Sequence, residues 1–482
     1  MTAIARRKFL GDALRAAAVV GTASIESCAR IRQRESSTRS PNILFVFADQ
    51  MRASSAGWMG NDQVRTPNLD RFARSGIIFD NAVSCCPVCT PYRASLLTGL
   101  YPLRNGLLLN DVRLRTDLPT IAAVLKSAGY DTGYVGKWHL DGNKRGGFTP
   151  PGPRRQGFDF WAAANCTHAY LHSHYYRDDP TPVWIEGYDA DHQTDLAIEY
   201  ARSHGGDRPF CLFVSWGPPH DPYQAMPKEY KTFDPREIRL PPNCADEQRW
   251  REDIAGYYSH VEALDRDFAR LLAALDQSGR ADDTIVVFTS DHGDMLGSQG
   301  KQKKQKPWDE SVHVPFVLRY PRRVAPGRRT DVPINVADIM PTLLGLAGVA
   351  APRRLEGADL SGVVLGRKTE GPTSAFLANL CPFGEPVPEW RGIRTGRYTY
   401  VCTRTGPWLL FDNRSDPCQL TNLVEASSHR AVREDLGREL KQWLDRTGDR
   451  FLPREDYWKQ FGYAVSPRGE VPYETRVGVH DL

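Results

Sequence analysis

The sequence contains no run of 18 uninterrupted apolar residues, so no segment reads as a helix that spans a membrane. It has no strong excess of either charge. A formal +4 over 482 residues leaves no nucleic-acid footprint, although a local basic patch could still attract an anionic substrate. The ten cysteines lack the spacing of a small disulfide scaffold. Internal repeats are missing, and low complexity is confined to the leader. Together these absences exclude an α-helical membrane protein, a nucleic-acid binder, a repeat array and a cystine-rich module. What remains, 41% hydrophobic and 25% charged, is ordinary globular composition. The length exceeds what one core holds, which predicts one large domain and a smaller one.

Residues 1–39 read as an export signal and leader. Ala5-Arg6-Arg7-Lys8-Phe9-Leu10 leads into a weakly apolar, Ala-rich stretch from Ala13 to Ile25 and then a polar one. Paired arginines before a short apolar region match a twin-arginine signal and predict export, to a bacterial periplasm. Cys28 is a weaker candidate for lipid attachment. Cys402 and Cys418 flank an apparent hairpin and are candidates to pair across it.

Three continuous apolar runs read as strands buried on both faces, hence a parallel sheet covered by helices. Asn42 to Ala48 ends in Asp49-Gln50. Thr284 to Ser290 ends in Asp291-His292-Gly293-Asp294. Phe210 to Trp216 ends in Gly217-Pro218-Pro219-His220. Ligands of such sheets bind beyond the carboxyl ends of the strands, so Asp49, Gln50 and Asp291 are candidate ligands for a hard divalent ion, calcium or magnesium. Tyr134-Val135 reads as a short strand, and alternation puts Lys137 and His139 on one side, a cation and a proton carrier for an oxyanion site. Beyond about residue 365 the pattern turns to antiparallel strands, 393–401 and 408–412, followed by a helix from about Ser428 to Asp445. The predicted class is α/β: a large, mostly parallel sheet flanked by helices over residues 40–365, and an antiparallel sheet plus helix over 366–482. The tail after Arg450 is expected to fold back towards the active-site rim.

The run Cys89-Thr90-Pro91-Tyr92-Arg93, followed by Thr98-Gly99, fits neither a zinc nor a disulfide pattern. One cysteine stands beside a proline, with an arginine one helical turn later. This run resembles that of the formylglycine-dependent (type I) sulfatases, arylsulfatase-like members of the alkaline phosphatase-like superfamily. GYVGKWHL, the two Asp-led strand ends and an Asp-Pro-x-x-x-x-Asn-Leu turn at Asp416–Leu423 resemble further parts of that family. The resemblance covers nearly the whole mature chain.

Several roles follow from the resemblance. Cys89 would be converted to formylglycine by a maturation enzyme, and one hydroxyl of its hydrate would be the nucleophile. Asp49, Gln50, Asp291, His292 and residue 89 itself would hold Ca2+ or Mg2+, with His292 either a ligand or a hydrogen bonder behind the ligands. Gln50 departs from the commoner Asp and also occurs in relatives that hydrolyse phosphonate or phosphate esters. Arg93 would orient the hydrate and the ligands, Lys137 the charge, and His139 would take the remaining hydroxyl proton. His220 would protonate the leaving alcohol. Of the four lysines between 301 and 306, Lys304 would contact substrate, with Lys306 the runner-up and the other two solvated. Independently of the resemblance, Cys85 and Cys86 are too close for an ordinary bridge with each other and are expected to pack behind the nucleophile.

The loop Asn165 to Tyr176, dense in His and Tyr, reads as a pocket wall for a sugar or a sulfated aromatic, extended by Trp184 and Tyr188. The implied activity is hydrolysis of sulfate esters, on a sulfated carbohydrate. The alternatives are a phosphonate monoester or phosphodiester hydrolase using the same site, and a non-catalytic glycan binder derived from such an enzyme. The intact set Cys89, Arg93, Lys137, His139 and His220 argues against the last.

Overall fold

The structure is a computed structural model that describes residues 40–474; the export signal and Cys28 lie outside the described residues. Eight strands form the main sheet, in the order Arg328–Thr330, Ile77–Phe79, Phe316–Arg319, Thr284–Ser290, Asn42–Asp49, Phe210–Pro219, Asp131–Lys137 and Phe160–Ala164. Only Phe316–Arg319 runs against its neighbours. The three apolar runs named above lie side by side at the centre.

Their burial on both faces follows from alternation. Ile43, Phe45 and Phe47 enter one core with Tyr92, Leu96 and the helix Val336–Ala347. Leu44, Val46 and Ala48 enter the other with Leu196, Ile254 and Val261, from the helices Asp189–Ser203 and Gln248–Gln277. All eight residues of Asn42–Asp49 are buried. Register then decides which tails meet. Ala48 pairs with Ser290 and Asp49 with Pro219, so Asp49, Asp291 and His220 leave three strands at one rim. No helix among the described residues is long and apolar enough to cross a membrane.

A separate four-stranded antiparallel sheet runs Ser374–Asn379, Trp390–Thr395, Tyr398–Thr403, Gly406–Asp412. The single strand expected over 393–401 is thus a hairpin. Thr395 Oγ1 accepts the N–H groups of Arg397 and Tyr398 at 3.2 and 2.8 Å and turns the chain. The helix Arg430–Thr447 covers this sheet with Leu436, Leu440 and Trp443. Cys402 and Cys418 do not pair; both are free thiols. Cys402 sits in a strand with Sγ on the Tyr400 hydroxyl at 3.1 Å, opposite Pro407, and Cys418 lies past the last strand, against Asn243 and Gln299.

Beyond the covering helix, the chain is fastened by an ion pair with both side chains fully buried, Arg391 to Asp449, which Tyr457 also joins through its hydroxyl at 2.6 Å from Asp449. Burial alone would raise the Asp449 carboxyl, but Arg391 and Tyr457 hold it below its ordinary value. A depressed folded-state value means stability that is present at neutral pH and lost as pH falls through that value. Asp449→Ala should cost about 3–5 kcal/mol, because it leaves a buried guanidinium unpaired. Urea unfolding with an unchanged m-value would read it. A loss confined to surface-pair size, about 0–1 kcal/mol, would show that the pair is not effectively desolvated.

Candidate active site

The helix Cys89–Thr98 is buried along its whole length and follows an extended Val88. Its first backbone bond runs from Tyr92 N–H to the Val88 carbonyl at 3.0 Å. Pro91 therefore falls in the first turn, where an N–H would have no intrahelical partner anyway. Thr90 N–H in this turn donates to Asn110 Oδ1 at 3.0 Å, and the helix dipole puts positive potential near residue 89. Cys89 Sγ lies 3.0 Å from Lys304 Nζ, 3.2 Å from His292 Nε2, 3.7 Å from Asp49 Oδ1 and 3.9 Å from Lys137 Nζ. Burial and Asp49 oppose ionisation of the thiol, yet Lys137, Lys304 and His292 outweigh them and pull it well below its ordinary value. The surroundings favour an anion at this position.

Arg93 ties the acidic rim together. It sits one turn after Cys89, with Nη2 2.9 Å from Asp49 Oδ2 and 3.3 Å from Asp291 Oδ2, while Nη1 donates to the Lys137 carbonyl and Ser215 Oγ at 2.6 and 2.8 Å. The Asp49 carboxyl, although burial would raise it, is held well below its ordinary value by Lys137, His220 and Arg93. Burial and Asp49 push Asp291 up to about 6 against His292 and Arg93. Asp49, Cys89, Asp291 and His292 each offer a donor atom, and these lie within 4.8 Å of one another. His292 Nδ1–H donates to the Gly293 carbonyl at 3.0 Å, which leaves the lone pair of Nε2 facing this cluster. Gln50 Nε2 donates to Asp294 Oδ2 at 2.7 Å, while its buried Oε1 has no partner.

Lys137 and His139 both reach the site, but not by strand alternation. The strand ends at Lys137, and His139 turns with φ of 55°. Gly136, with φ of 100°, lets the strand edge approach: a Cβ there would lie 2.1 Å from the Ser215 carbonyl oxygen. Lys137 Nζ pairs with Asp49 Oδ2 at 2.6 Å.

Sequence reasoning missed Asp111, whose surroundings (LLLNDVRL) carry no signal. Its Oδ1 is 3.1 Å from His139 Nε2, and Arg145 grips the same carboxylate through Nε and Nη2 at 2.8 and 2.7 Å. Asp111 thus fixes the proton on His139 Nε2 and leaves Nδ1, which has no hydrogen-bond partner, free to accept another. Burial disfavours the imidazolium, but Cys166 and Asp111 raise His139 to about 10, so the neutral ring with Nδ1 open to a proton gains population as pH rises towards that value. Asp111→Asn should lower kcat by about 100-fold with KM little changed. Losing the carboxylate also removes stabilisation of the imidazolium, so the kcat limb belonging to His139 should move to lower pH. A matching rise in KM with an unmoved limb would sink this role.

His220 Nδ1–H donates to the Asp221 carbonyl at 2.7 Å, so Nε2 turns its lone pair to Lys304 Nζ at 3.0 Å. Burial, Lys304 and His168 hold His220 well below its ordinary value. His168 was passed over inside the His/Tyr loop. Its ring stacks on His220 at 4.1 Å and 9°, and its Nε2 is 3.2 Å from Lys137 Nζ.

Lys304, not Lys306, is the lysine on residue 89. Lys306 turns away to the Gln302 carbonyl and Glu385. Of the two lysines expected to be solvated, Lys303 is exposed and also bonds Asp221 at 3.2 Å. The small sheet fixes this segment. The Gln305 carbonyl accepts from Trp390 Nε1 at 3.0 Å and Asn379 Nδ2 at 3.1 Å, and Gln305 N–H reaches the Pro87 carbonyl at 3.2 Å.

Cys89, Asp111, Lys137, His139, His220 and Lys304 line a cavity of about 530 Å3. Its wall differs from the expected one. His168 is the only member of the Asn165–Tyr176 loop that lines it among the described residues. Tyr170 is buried and donates to the Gly217 and His220 carbonyls, Tyr188 packs on His260, and Trp184 is exposed against His174. Arg145, Phe383, Arg468 and Tyr473 form the wall instead, the last two from the tail that was expected to fold back. Tyr473 lies under the Arg145 guanidinium at 3.4 Å. Cys85 and Cys86 are buried, Cys85 against Ser95 on the Cys89 helix.

Residues 41–349 match the Sulfatase family model, and residues 297–446 match the model for the C-terminal part of N-sulphoglucosamine sulphohydrolase. An ulvan-active sulfatase of Formosa agariphila is 39% identical over 96% of this chain and 93% of its own. An endo-4-O-sulfatase of Bacteroides thetaiotaomicron is 31% identical over 88% and 96%. A solved structure from work on glycosaminoglycan metabolism by Bacteroides thetaiotaomicron superposes with a TM-score of 0.79 at 30% identity, over 90% of this chain and all of that one. A phosphonate monoester hydrolase of Agrobacterium radiobacter shares the fold, with a TM-score of 0.69 at 24% identity over 84% and 96%. The chain belongs to the sulfatase family and is a sulfuric ester hydrolase.

Proposed function

We propose that this sulfatase removes sulfate esters from a sulfated carbohydrate, using residue 89 as a formylglycine made from Cys89. One observation carries the proposal. The side chain at 89 heads a buried helix with two cations, Lys304 and Lys137, and the ligand-bearing residues Asp49 and His292 within 3.9 Å. The glycan-directed relatives named above support the carbohydrate substrate, and the twin-arginine reading of residues 1–39 supports action after export. Cys89 Sγ stands in for the hydroxyls of an aldehyde hydrate. Making the aldehyde from the thiol is a two-electron oxidation, supplied by the maturation enzyme and its oxidant.

Asp49, Asp291, His292, Gln50 and residue 89 would hold a divalent cation. The orphaned Gln50 Oε1 and the converging carboxylates fit one. Once residue 89 presents oxygen, the set is four oxygen donors and one imidazole, which suits Ca2+ or Mg2+ better than a thiophilic metal. Such an ion, when bound, draws charge from a substrate oxygen and acidifies the hydrate.

The protein's own groups then act in order. One hydroxyl of residue 89 gives up its proton to solvent and attacks sulfur, and the bond from sulfur to the sugar oxygen breaks. Lys304 and His220, which share one proton across 3.0 Å, deliver it to the departing oxygen. Lys137, Lys304 and the helix terminus hold the sulfate charge. His139, oriented by Asp111, takes the proton of the second hydroxyl. The carbon–oxygen bond to sulfate breaks, the aldehyde returns, and water rehydrates it. The net change is ester plus water to alcohol, sulfate and a proton.

Gln50 keeps a second reading in play, hydrolysis of phosphonate monoesters or phosphodiesters at the same site, because a neutral amide replaces a second carboxylate beside the anion. We expect the matured, calcium-loaded enzyme to favour an aryl sulfate over an aryl phosphonate monoester in kcat/KM, and to release sulfate from a sulfated polysaccharide. A preference for the phosphonate would overturn the substrate class.

A further inference from the structure

A second cavity, of about 850 Å3, opens away from the residues of the active site. It lies at the far end of the Cys89–Thr98 helix, at Leu100 and Tyr101, one helix length of about 15 Å from residue 89. Five arginines line it, Arg104, Arg115, Arg353, Arg354 and Arg446, against only two carboxylates, Asp117 and Glu356. Lysine is missing from its lining. A whole-chain charge of +4 does not account for such a concentration.

The two carboxylates are already engaged. Asp117 pairs with Arg115, and Glu356 accepts the Tyr101 N–H at 2.8 Å and lies 3.5 Å from Arg104. Arg353, Arg354 and Arg446 form no ion pair among the described residues, and Arg446 rests its guanidinium on the Trp443 ring at 4.2 Å, which leaves its N–H donors unspent. Between the arginines the walls are Leu118, Pro119, Pro352 and Leu355. Planar guanidinium forks match the paired oxygens of sulfate or carboxylate, and apolar walls suit the C–H faces of sugar rings.

We infer that this cavity is a second binding site for the sulfated polysaccharide itself, holding a stretch of chain away from the ester under attack. The inference rests on the carbohydrate reading above. Such a site works by effective concentration: a polymer held at one point presents its other esters to the active site more often, whereas a small sulfate ester gains nothing.

The test uses the full-length matured enzyme and the variant Arg353→Ala/Arg354→Ala/Arg446→Ala, all exposed positions remote from residue 89. Affinity electrophoresis in dextran sulfate measures binding without turnover. We expect the variant's Kd to rise on the order of tenfold, with KM for a polymeric substrate rising alongside and kcat/KM for 4-nitrophenyl sulfate unchanged. Equal retardation of the two proteins would overturn the site. Competition by duplex DNA as strong as by dextran sulfate would overturn its assignment to sulfated glycan in favour of a general polyanion patch. Failure of the carbohydrate reading would show differently, as no sulfate released from any polysaccharide by the wild type.

Discussion

Cys89→Ala should abolish turnover, lowering kcat/KM on an aryl sulfate by about 10,000-fold or more, because every covalent step of the proposed mechanism passes through that side chain. Cys89→Ser separates the aldehyde from a plain hydroxyl. A serine at the helix head, facing Lys304 at the 3.0 Å contact made by Sγ, can still take sulfate from the substrate. Its sulfate ester has no second hydroxyl to deprotonate, so His139 has no proton to remove and the ester cannot collapse. The expected result is a burst of at most one equivalent of alcohol and then arrest, with sulfate left on the protein. In the matured wild type, the peptide holding residue 89 should have lost its sulfur and should react with a hydrazide. Full activity in Cys89→Ala, or a wild-type peptide that retains its thiol while the enzyme turns over, would sink the formylglycine mechanism.

The second large effect concerns the proton delivered to the leaving oxygen. Lys304 Nζ and His220 Nε2 face each other at 3.0 Å, and the lone pair on Nε2 is fixed by the bond from Nδ1–H to the Asp221 carbonyl. In the proposed mechanism the two act as one donor. Lys304→Ala and His220→Ala should each lower kcat by about 100- to 10,000-fold, and the double variant should be little worse than either single one, as for residues acting as a unit. The loss should also depend on the leaving group. A nitrophenolate departs without help, whereas a sugar alkoxide needs the proton, so both variants should lose far more on an alkyl or sugar sulfate. Equal losses on the two substrates would remove this pair from leaving-group protonation and leave it only with binding the sulfate.

Much of the site was legible because its chemistry sits in short, unusual local patterns. Cys89 with Pro91 and Arg93, Lys137 with His139, and the Asp-led ends at Asp49 and Asp291 each stand out within a few residues. The antiparallel C-terminal sheet was legible from alternation, though the turn at Gly396–Arg397 was not, since Thr395 makes it with one side-chain oxygen. Asp111 and His168 were not legible as parts of the machinery. Asp111 joins the site through a contact to His139 28 residues away, and His168 through a ring stack on His220, and neither contact has a sequence signature. The cavity wall was misassigned for the same reason. A dense His/Tyr loop looks like a binding surface, but Tyr170 and Tyr188 are spent on buried hydrogen bonds within the fold.

The sequence by itself determined the class of sheet, the proposed nucleophile and the acidic strand ends, because those readings depend on hydrophobic runs and on residues adjacent along the chain. Only the tertiary structure decided which lysine of 301–306 reaches Cys89, 215 positions away, and how the site is walled. That choice is made by the Gln305 clamp to Trp390 and Asn379 and by the parallel register that sets Ala48 beside Ser290. Both are long-range pairings, whose partners are fixed by packing and by hydrogen bonds between distant segments rather than by any local preference of the residues they bring together.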